Sequence, residues 1–339
     1  MLNEQFKRKW SSLVFASIIF FFVGCNQEHV DIPCDLVSDP NPVFTVSFTD
    51  LNSLHHIEPI GEILPLHIYS DHAYVVRKSD VDSVPIYAPI DMALVNVVAD
   101  PLDYALHFKI SQEVELVFGH ISDPIDQIKQ LAKNQGIPFF RCENKPLLYV
   151  TAGQLLGWSK NGLVFDLGVY NSTQKMNFIN PERFRTFIKE FHASCPFDYY
   201  TPVLKTQMYD LFGPKPLMQP LSCRDSRDKI GTIAGSWFDT QEISITQDFT
   251  TFSPLLIAAS LDGNIRIVRG NQDVIHRVFI YDASYKDPET VTTEHCYEVS
   301  TGGYFYFQMQ GDGSVRIVRE TSGSCPGNFP SSGYITYYR

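Results

Sequence analysis

The stretch "LPLHIYSDHAYVV" places His67, Asp71 and His72 within six residues, at the entrance to a run that alternates as a strand does. Imidazole and carboxylate groups this close together are metal-ligating chemistry. A metal ion, however, draws ligands from several elements, so the stretch alone reads equally as a turn entering a sheet. His72 directly follows Asp71, and strand alternation predicts it on the opposite face, outside any shared site. His107, within "YALHFKIS", is expected to pack or hydrogen-bond inside a sheet.

The elements that must position these side chains are mostly strands. "VFTVSFTDL" alternates, and from Ile57 to Phe184 short apolar runs follow one another: "AYVVRK", "VPIYAPI", "MALVNVVAD", "YALHFKIS", "EVELVFGH", "PLLYVTAGQLLGW" and "GLVFDLGVYN". Two interludes read as helices. "PIDQIKQLAKNQGI" spaces Ile125, Ile128 and Leu131 along one helical face and ends at Gly136. "NPERFRTFIKEFHA" has Asn180 as N-cap and Pro181 at the first position. The predicted fold class is therefore mostly β with few helices. Aromatic residues make up 13% of the chain, which agrees with that class.

A proline-bearing stretch, 196–230, reads as an irregular linker between a first domain (44–195) and a β-rich C-terminal domain (231–339). The last portion carries an internal echo. "LDGNIRIVRG" (261–270) and "GDGSVRIVRE" (311–320) share D-G-x-x-R-I-V-R at an offset of fifty residues. Asp-Gly followed by alternating residues signals a hairpin. Residues 231–339 hold only two such units, too few for a propeller, so a small barrel or sandwich is expected. The echoed arginines, Arg266 and Arg269 with Arg316 and Arg319, are expected on a solvated strand face, the alternative being a surface that meets an acidic ligand.

The first domain resembles the duplicated-hybrid-motif (barrel-sandwich) domain of lysostaphin-type, LytM-like zinc endopeptidases, which cut peptidoglycan cross-bridges. The resemblance spans roughly residues 57–185. "HIYSD" matches the family's H-x-x-x-D, "PIYAPIDMALV" its V-Y-A-P-x-D-G-x-V with Met92 in place of glycine, and "VTAGQLLG" its V-x-x-G-Q-x-I-G. "LVFGHIS" places His120 where the family keeps a catalytic histidine. Against the final H-L-H-F-E element the chain has "VFDLGV", with Val164 and Asp166 at the two histidine positions. The resemblance thus implies a metal set of His67, Asp71 and Asp166, and His120 as acid/base. One histidine with two carboxylates is a harder and more anionic set than zinc prefers, and Val164 can neither give nor take a proton. Loss of a positioned acid/base costs on the order of 10²–10⁴-fold in rate.

The expectation is therefore a domain that has lost catalysis and lacks a cofactor, zinc being the ion a retained site would take. It would bind peptidoglycan peptide or glycan, or an envelope protein. The alternatives are a divergent metal-dependent peptidoglycan endopeptidase and a purely structural envelope protein. Nucleic acid is not an expected partner, since the chain has net charge −11 and no basic patch interleaved with aromatics.

The N-terminus reads as an export signal. "FKRKW" precedes eleven uncharged, mostly apolar residues, "LVFASIIFFFV". At about 1.5 Å per residue these are too short to cross a hydrocarbon core of about 30 Å. "FVGC" resembles the lipobox of bacterial lipoproteins, with Phe22 where leucine is usual. That resemblance implies cleavage after residue 24, diacylation of Cys25, and membrane attachment through a tether, residues 25–43. It also implies residence in the bacterial cell envelope, at the outer membrane in a Gram-negative host. An ordinary signal peptide with a coincidental cysteine is the alternative. The other six cysteines suit disulfides in an exported chain. Proximity pairs Cys195 with Cys223 and Cys296 with Cys325, which leaves Cys34 with Cys142; a zinc cluster is the weaker alternative. Cys25→Ser is expected to abolish incorporation of labelled palmitate in cells, and labelling that survives the change refutes lipidation at this residue.

Overall fold

A computed structural model describes residues 36–61, 70–100, 103–135, 146–160, 162–184, 190–213, 223, 228–241, 255–260, 262–269 and 275–339. Cys25, Cys34, His67 and Cys142 lie outside the described residues. The class is mostly β, with several antiparallel sheets and, among the described residues, two α-helices: α1 (Asp126–Gln135) and α2 (Pro202–Asp210).

The first half is built from β1 (Leu54–Glu58), β2 (Ala73–Arg77), β3 (Val84–Tyr87), β4 (Met92–Asp100), β5 (Asp103–Lys109) and β6 (Val114–Ile121). β7 (Asp123–Pro124), β8 (Leu148–Val150), β9 (Leu155–Ser159), β10 (Val164–Asn171) and β11 (Ala193–Ser194) complete it. The main sheet runs β1-β2-β10-β6-β5-β4-β8, with β11 paired to β10, and a smaller sheet runs β3-β9-β7. One core joins them, taking Val75, Leu106, Phe118, Phe165 and Leu167 from the main sheet and Val84, Ile86 and Leu156 from the smaller.

Alternation dictates which residues reach that core. In β10, Phe165, Leu167 and Val169 are fully buried, while Val164, Asp166 and Tyr170 show on the other face. β4 differs, because Met92 to Val97 are buried on both faces, as befits its continuous apolar run.

Several sequence expectations are corrected here. "VFTVSFTDL" is no strand. Phe44 and Phe48 are buried, but the segment is held by single contacts: Thr45 and Val46 N–H both donate to the Pro89 carbonyl, and Phe44 N–H donates to that of Tyr199. Residues 196–212, expected to be irregular, form a 3₁₀ turn (Pro196–Tyr199) and α2 and send Phe197, Tyr200, Met208 and Phe212 into the first core. Two of the five prolines behind that expectation, Pro196 and Pro202, open these two elements, where proline is tolerated. Of the second expected helix, the described parts hold two 3₁₀ turns, Pro181–Phe184 and Glu190–His192.

The second half holds β12 (Gly235–Trp237), β13 (Leu255–Ala259), β14 (Ile265–Arg269) and β15 (His276–Val278) in one antiparallel sheet. A second sheet holds β16 (Glu294–Glu298), β17 (Tyr304–Met309), β18 (Val315–Glu320) and β19 (Ile335–Tyr337). The echoed sequences are the same hairpin used twice. Asp262 accepts from Asn264 N–H at 3.0 Å and Asp312 from Ser314 N–H at 2.9 Å, with Gly263 and Gly313 at φ +78° and +83°. The two sheets share one core, in which Trp237, Leu255, Ile257, Ile265 and Ile267 meet Tyr297, Phe305, Phe307, Val315 and Ile317. Disulfides close Cys195–Cys223 and Cys296–Cys325.

The turn between β8 and β9 sets the main sheet against the smaller one. Gly153 has φ +81°, a conformation costly for residues with a Cβ, and its N–H donates to the Ala88 carbonyl at 2.8 Å. Gly157 differs, for a Cβ there would fall 2.6 Å from the Pro124 Cα and 2.7 Å from the Asp123 carbonyl oxygen of β7. Gly157→Ala is accordingly expected to cost about 3 kcal/mol or more through backbone displacement. Gly153→Ala, with open space around it, should cost about 1–2 kcal/mol from dihedral strain alone. Denaturant midpoints of the two variants test the order, and a larger loss at Gly153 contradicts it.

Candidate functional site

The face of the main sheet away from the core carries a chain of alternating carboxylates and imidazoles. Asp166 is at its centre. Its strand, β10, lies between β2 and β6, and it faces Tyr74 on one side and Gly119 on the other. A Cβ on Gly119 would sit 3.0 Å from Asp166 Oδ2, so glycine at this place leaves the carboxylate its room. Gly168 does the same one pleat along, where a Cβ would lie 3.3 Å from the Cβ of His72 and 3.2 Å from the Tyr170 ring.

Two imidazoles reach Asp166 Oδ2: His120 Nε2 at 3.2 Å and His72 Nε2 at 3.5 Å. Each is braced at its other nitrogen by a second carboxylate, His120 Nδ1 by Asp103 at 2.9 Å and His72 Nδ1 by Asp71 at 2.7 Å. The Tyr170 hydroxyl donates to the remaining Asp71 oxygen at 2.6 Å. The order is therefore Asp103, His120, Asp166, His72, Asp71, Tyr170.

His72 belongs to this cluster, against the alternation argument that excluded it. Asp71 and His72 lie in a bend before β2 begins at Ala73, and two residues in a bend need not point to opposite faces. His120 arrives by a different device. Between the pairs Leu106–Phe118 and Tyr104–Ile121, β6 advances three residues while β5 advances two, a β-bulge. At the bulge His120 adopts φ +58°, the only positive φ of a non-glycine among the described residues. Left-handed backbone is strained for a histidine and clusters at functional positions. Plain alternation would send His120 toward the core after Phe118; the bulge turns it to Asp166.

The electrostatics follow from these contacts. Hydrogen bonds to Asp103 and Asp166 push the His120 imidazole up to about 10. Burial opposes the charge on His72, but the carboxylates of Asp166 and Asp71 outweigh it and push the imidazole up to about 9. Burial likewise works against the Asp71 anion, yet the His72 charge and the hydrogen bonds from His72 and Tyr170 hold that carboxyl below its usual range. At neutral pH both imidazoles are therefore cations that donate hydrogen bonds, and neither can accept a proton as a general base.

Of the residues the sequence assigns to a metal, Asp71 and Asp166 enter this cluster and His67 lies outside the described residues. The described residues do not fit a zinc ion as they stand. Both oxygens of Asp71 are engaged, Asp166 Oδ2 is shared by two imidazoles, and only the buried Asp166 Oδ1 lacks a hydrogen-bond partner. Among the described residues no group of three or more His, Cys, Asp or Glu side chains is placed to hold a metal. Val164, on the same face two residues before Asp166, pairs with Val76 of β2. His107 bonds Glu115 at 3.3 Å within the sheet, as expected of it. Sequence reasoning missed Asp103 and Tyr170, which no motif marks; only strand pairing brings them to the site.

The fold and the cluster define a mostly-β protein with an imidazole–carboxylate site on one sheet face, two imidazolium groups set among three carboxylates. No protein-family model matches the chain, and no curated protein matches it. Among solved structures, Helicobacter pylori Csd3 aligns in two crystal forms. The orthorhombic form gives TM-score 0.30 at 14% identity, covering 47% of this chain and 35% of that one. The hexagonal form gives 0.28 at 15%, covering 47% and 34%. The chain thus spans about a third of the length of Csd3, and overlap this partial assigns no activity.

Asp166→Asn removes the charge shared by two cations at a side chain only 14% exposed. It is expected to cost about 2–3 kcal/mol, the range for hydrogen bonds to charged groups. Asp103, 39% exposed, is screened by water, and Asp103→Asn should cost under about 1 kcal/mol. Urea unfolding of the two variants checks this, and equal losses would mean that the cluster is not organised about Asp166.

Proposed function

We propose that this protein is a lipid-anchored component of the bacterial cell envelope whose first domain is a degenerate LytM-like domain. That domain is non-catalytic and binds peptidoglycan peptide or glycan, or an envelope protein. The support for the family is the motif resemblance in residues 57–185. The observation that supports a loss of catalysis is the state of His120, held as a cation between Asp103 and Asp166 when a general base requires a free nitrogen. Val164 removes the second proton-transfer position. A groove that holds a peptide is separable from the chemistry once performed in it, so binding can outlast hydrolysis. Lipidation at Cys25 would keep the domain at the membrane, within reach of the wall.

A second reading is a divergent metal-dependent endopeptidase using His67, Asp71 and Asp166, with zinc as its ion. It is favoured by the buried, unpartnered Asp166 Oδ1, an acceptor without a donor, and by the strained backbone at His120. Metal analysis of the purified full chain, together with assays on purified peptidoglycan beside a His67→Ala variant, separates the two. Substoichiometric metal, no release of muropeptides, and sedimentation with peptidoglycan are expected. Stoichiometric zinc with cleavage that depends on His67 defeats the proposal in favour of the second reading.

A further inference from the structure

The arginines echoed between the two halves of the C-terminal sandwich are of two kinds. Arg266 and Arg316 project from the outer faces of β14 and β18. Arg266 lies 3.8 Å from Asp262, and the Arg316 guanidinium lies over the Tyr334 ring, 4.6 Å from its centroid. Arg269 and Arg319 have the opposite parity. They extend the rows Ile265–Ile267 and Val315–Ile317, all four of which are core residues, and so sit on the inward faces at the strand ends. For these two the expected solvated face is corrected.

Their surroundings are those of a core margin. Arg269 is paired across the ladder with Leu255 and Arg319 with Phe305, both fully buried. The Nε–H of Arg269 donates at 3.0 Å to the hydroxyl of Tyr337, a residue of the other sheet. The Arg319 guanidinium lies 5.2 Å from the Phe305 ring centroid, and its Nε is buried without an acceptor. His276, opposite Ile267 and hence one pleat from Arg269, packs its ring 5.0 Å from that same Phe305. The repeat-related arginines thus approach one patch of the core from opposite sheets.

Among the described residues the patch holds positive charge without an anion of its own. Among the described residues neither Arg269 nor Arg319 forms an ion pair with a carboxylate, unlike Arg266. Asp239 is exposed and is felt at Tyr337, but it pairs with neither arginine. Burial and the charge of Arg269 hold Arg319 below the usual arginine range, and burial with the charge of Arg319 pushes His276 down to about 4. His276 is therefore neutral at pH 7, and beyond the Arg269 Nε–H bond to Tyr337 the two guanidinium groups still call for an acceptor. A planar guanidinium fork matches the two oxygens of a carboxylate or phosphate, which a lysine does not.

We propose that Arg269 and Arg319, with the Tyr337 hydroxyl, form an oxyanion-binding site at the margin of the sandwich core, taking the carboxylate or phosphate group of a ligand. Each repeat contributes one arginine, so the site exists only because the hairpin is present twice. It stands independently of any reading of the first domain.

Calorimetric titration of the full chain in detergent tests it, with inorganic phosphate and succinate as separate probes and ionic strength held constant with chloride. One saturable site is expected for at least one probe, weakened about tenfold or more in R269K and in R319K and unchanged in R316K. Saturation by phosphate alone marks a phosphoryl ligand, and by succinate alone a carboxylate ligand. The R→K variants keep the charge and so guard against unfolding, which melting curves monitor. Absence of saturable binding for both probes in the parent chain, or equal affinity in the R269K/R319K double variant, overturns the proposal.

Discussion

A carboxylate on a crowded sheet face must be balanced by charge or left at great cost, and at Asp166 that requirement organises everything around it. Its side chain is 14% exposed, and two imidazoles supply the balance at 3.2 and 3.5 Å. Each imidazole in turn needs an acceptor at its other nitrogen, which brings in Asp103 and Asp71. The geometry then reaches into the backbone. Gly119 and Gly168 clear the space, a bulge in β6 delivers His120, and the bend before β2 delivers His72. Four segments of the first half, the bend before β2 together with β5, β6 and β10, are tied together at this one group.

Such a cluster meets a requirement common to carboxylates that lie close together. Without a counter-charge they repel one another, and imidazolium groups supply it in place. The same contacts that settle the charge raise both imidazoles well above neutrality, so stability and base catalysis make opposite demands on His120. The arrangement favours stability.

The second half of the chain solves its packing by repetition. Two copies of one hairpin place equivalent rows of apolar residues face to face, with the large aromatic residues Tyr297, Phe305 and Phe307 concentrated on the second sheet. The halves of the chain are also joined. Phe178 packs with Leu256, Ala258 and Val268, and Asp228 accepts from the N–H groups of Ile179 and Ser236 at 3.1 and 2.8 Å. A half-domain that used its hairpin twice could not avoid bringing Arg269 and Arg319 to related positions, because both end the same inward row.

Much of this was legible in the residues alone. Period-two alternation located most strands of the first half, Asp-Gly marked both hairpins, and Cys195–Cys223 and Cys296–Cys325 followed from proximity. These are local properties, set by side-chain parity and turn chemistry over a few residues. Alternation misled where the backbone left regular geometry: at His72, which lies in a bend, and at "VFTVSFTDL", whose backbone makes scattered bonds to Pro89, Tyr199 and Thr201 instead of joining a ladder. Prolines misled in 196–212, because a proline that breaks one helix also opens another. What only the tertiary structure decided was adjacency across strands. Asp103 is 63 residues from Asp166 in "YALHFKIS"-flanking sequence and Tyr170 is 99 from Asp71, and no spacing rule connects either pair. Sequence names the groups that could do chemistry; pairing register, a bulge and a bend decide which of them meet, because those depend on hydrogen bonds between segments far apart in the chain.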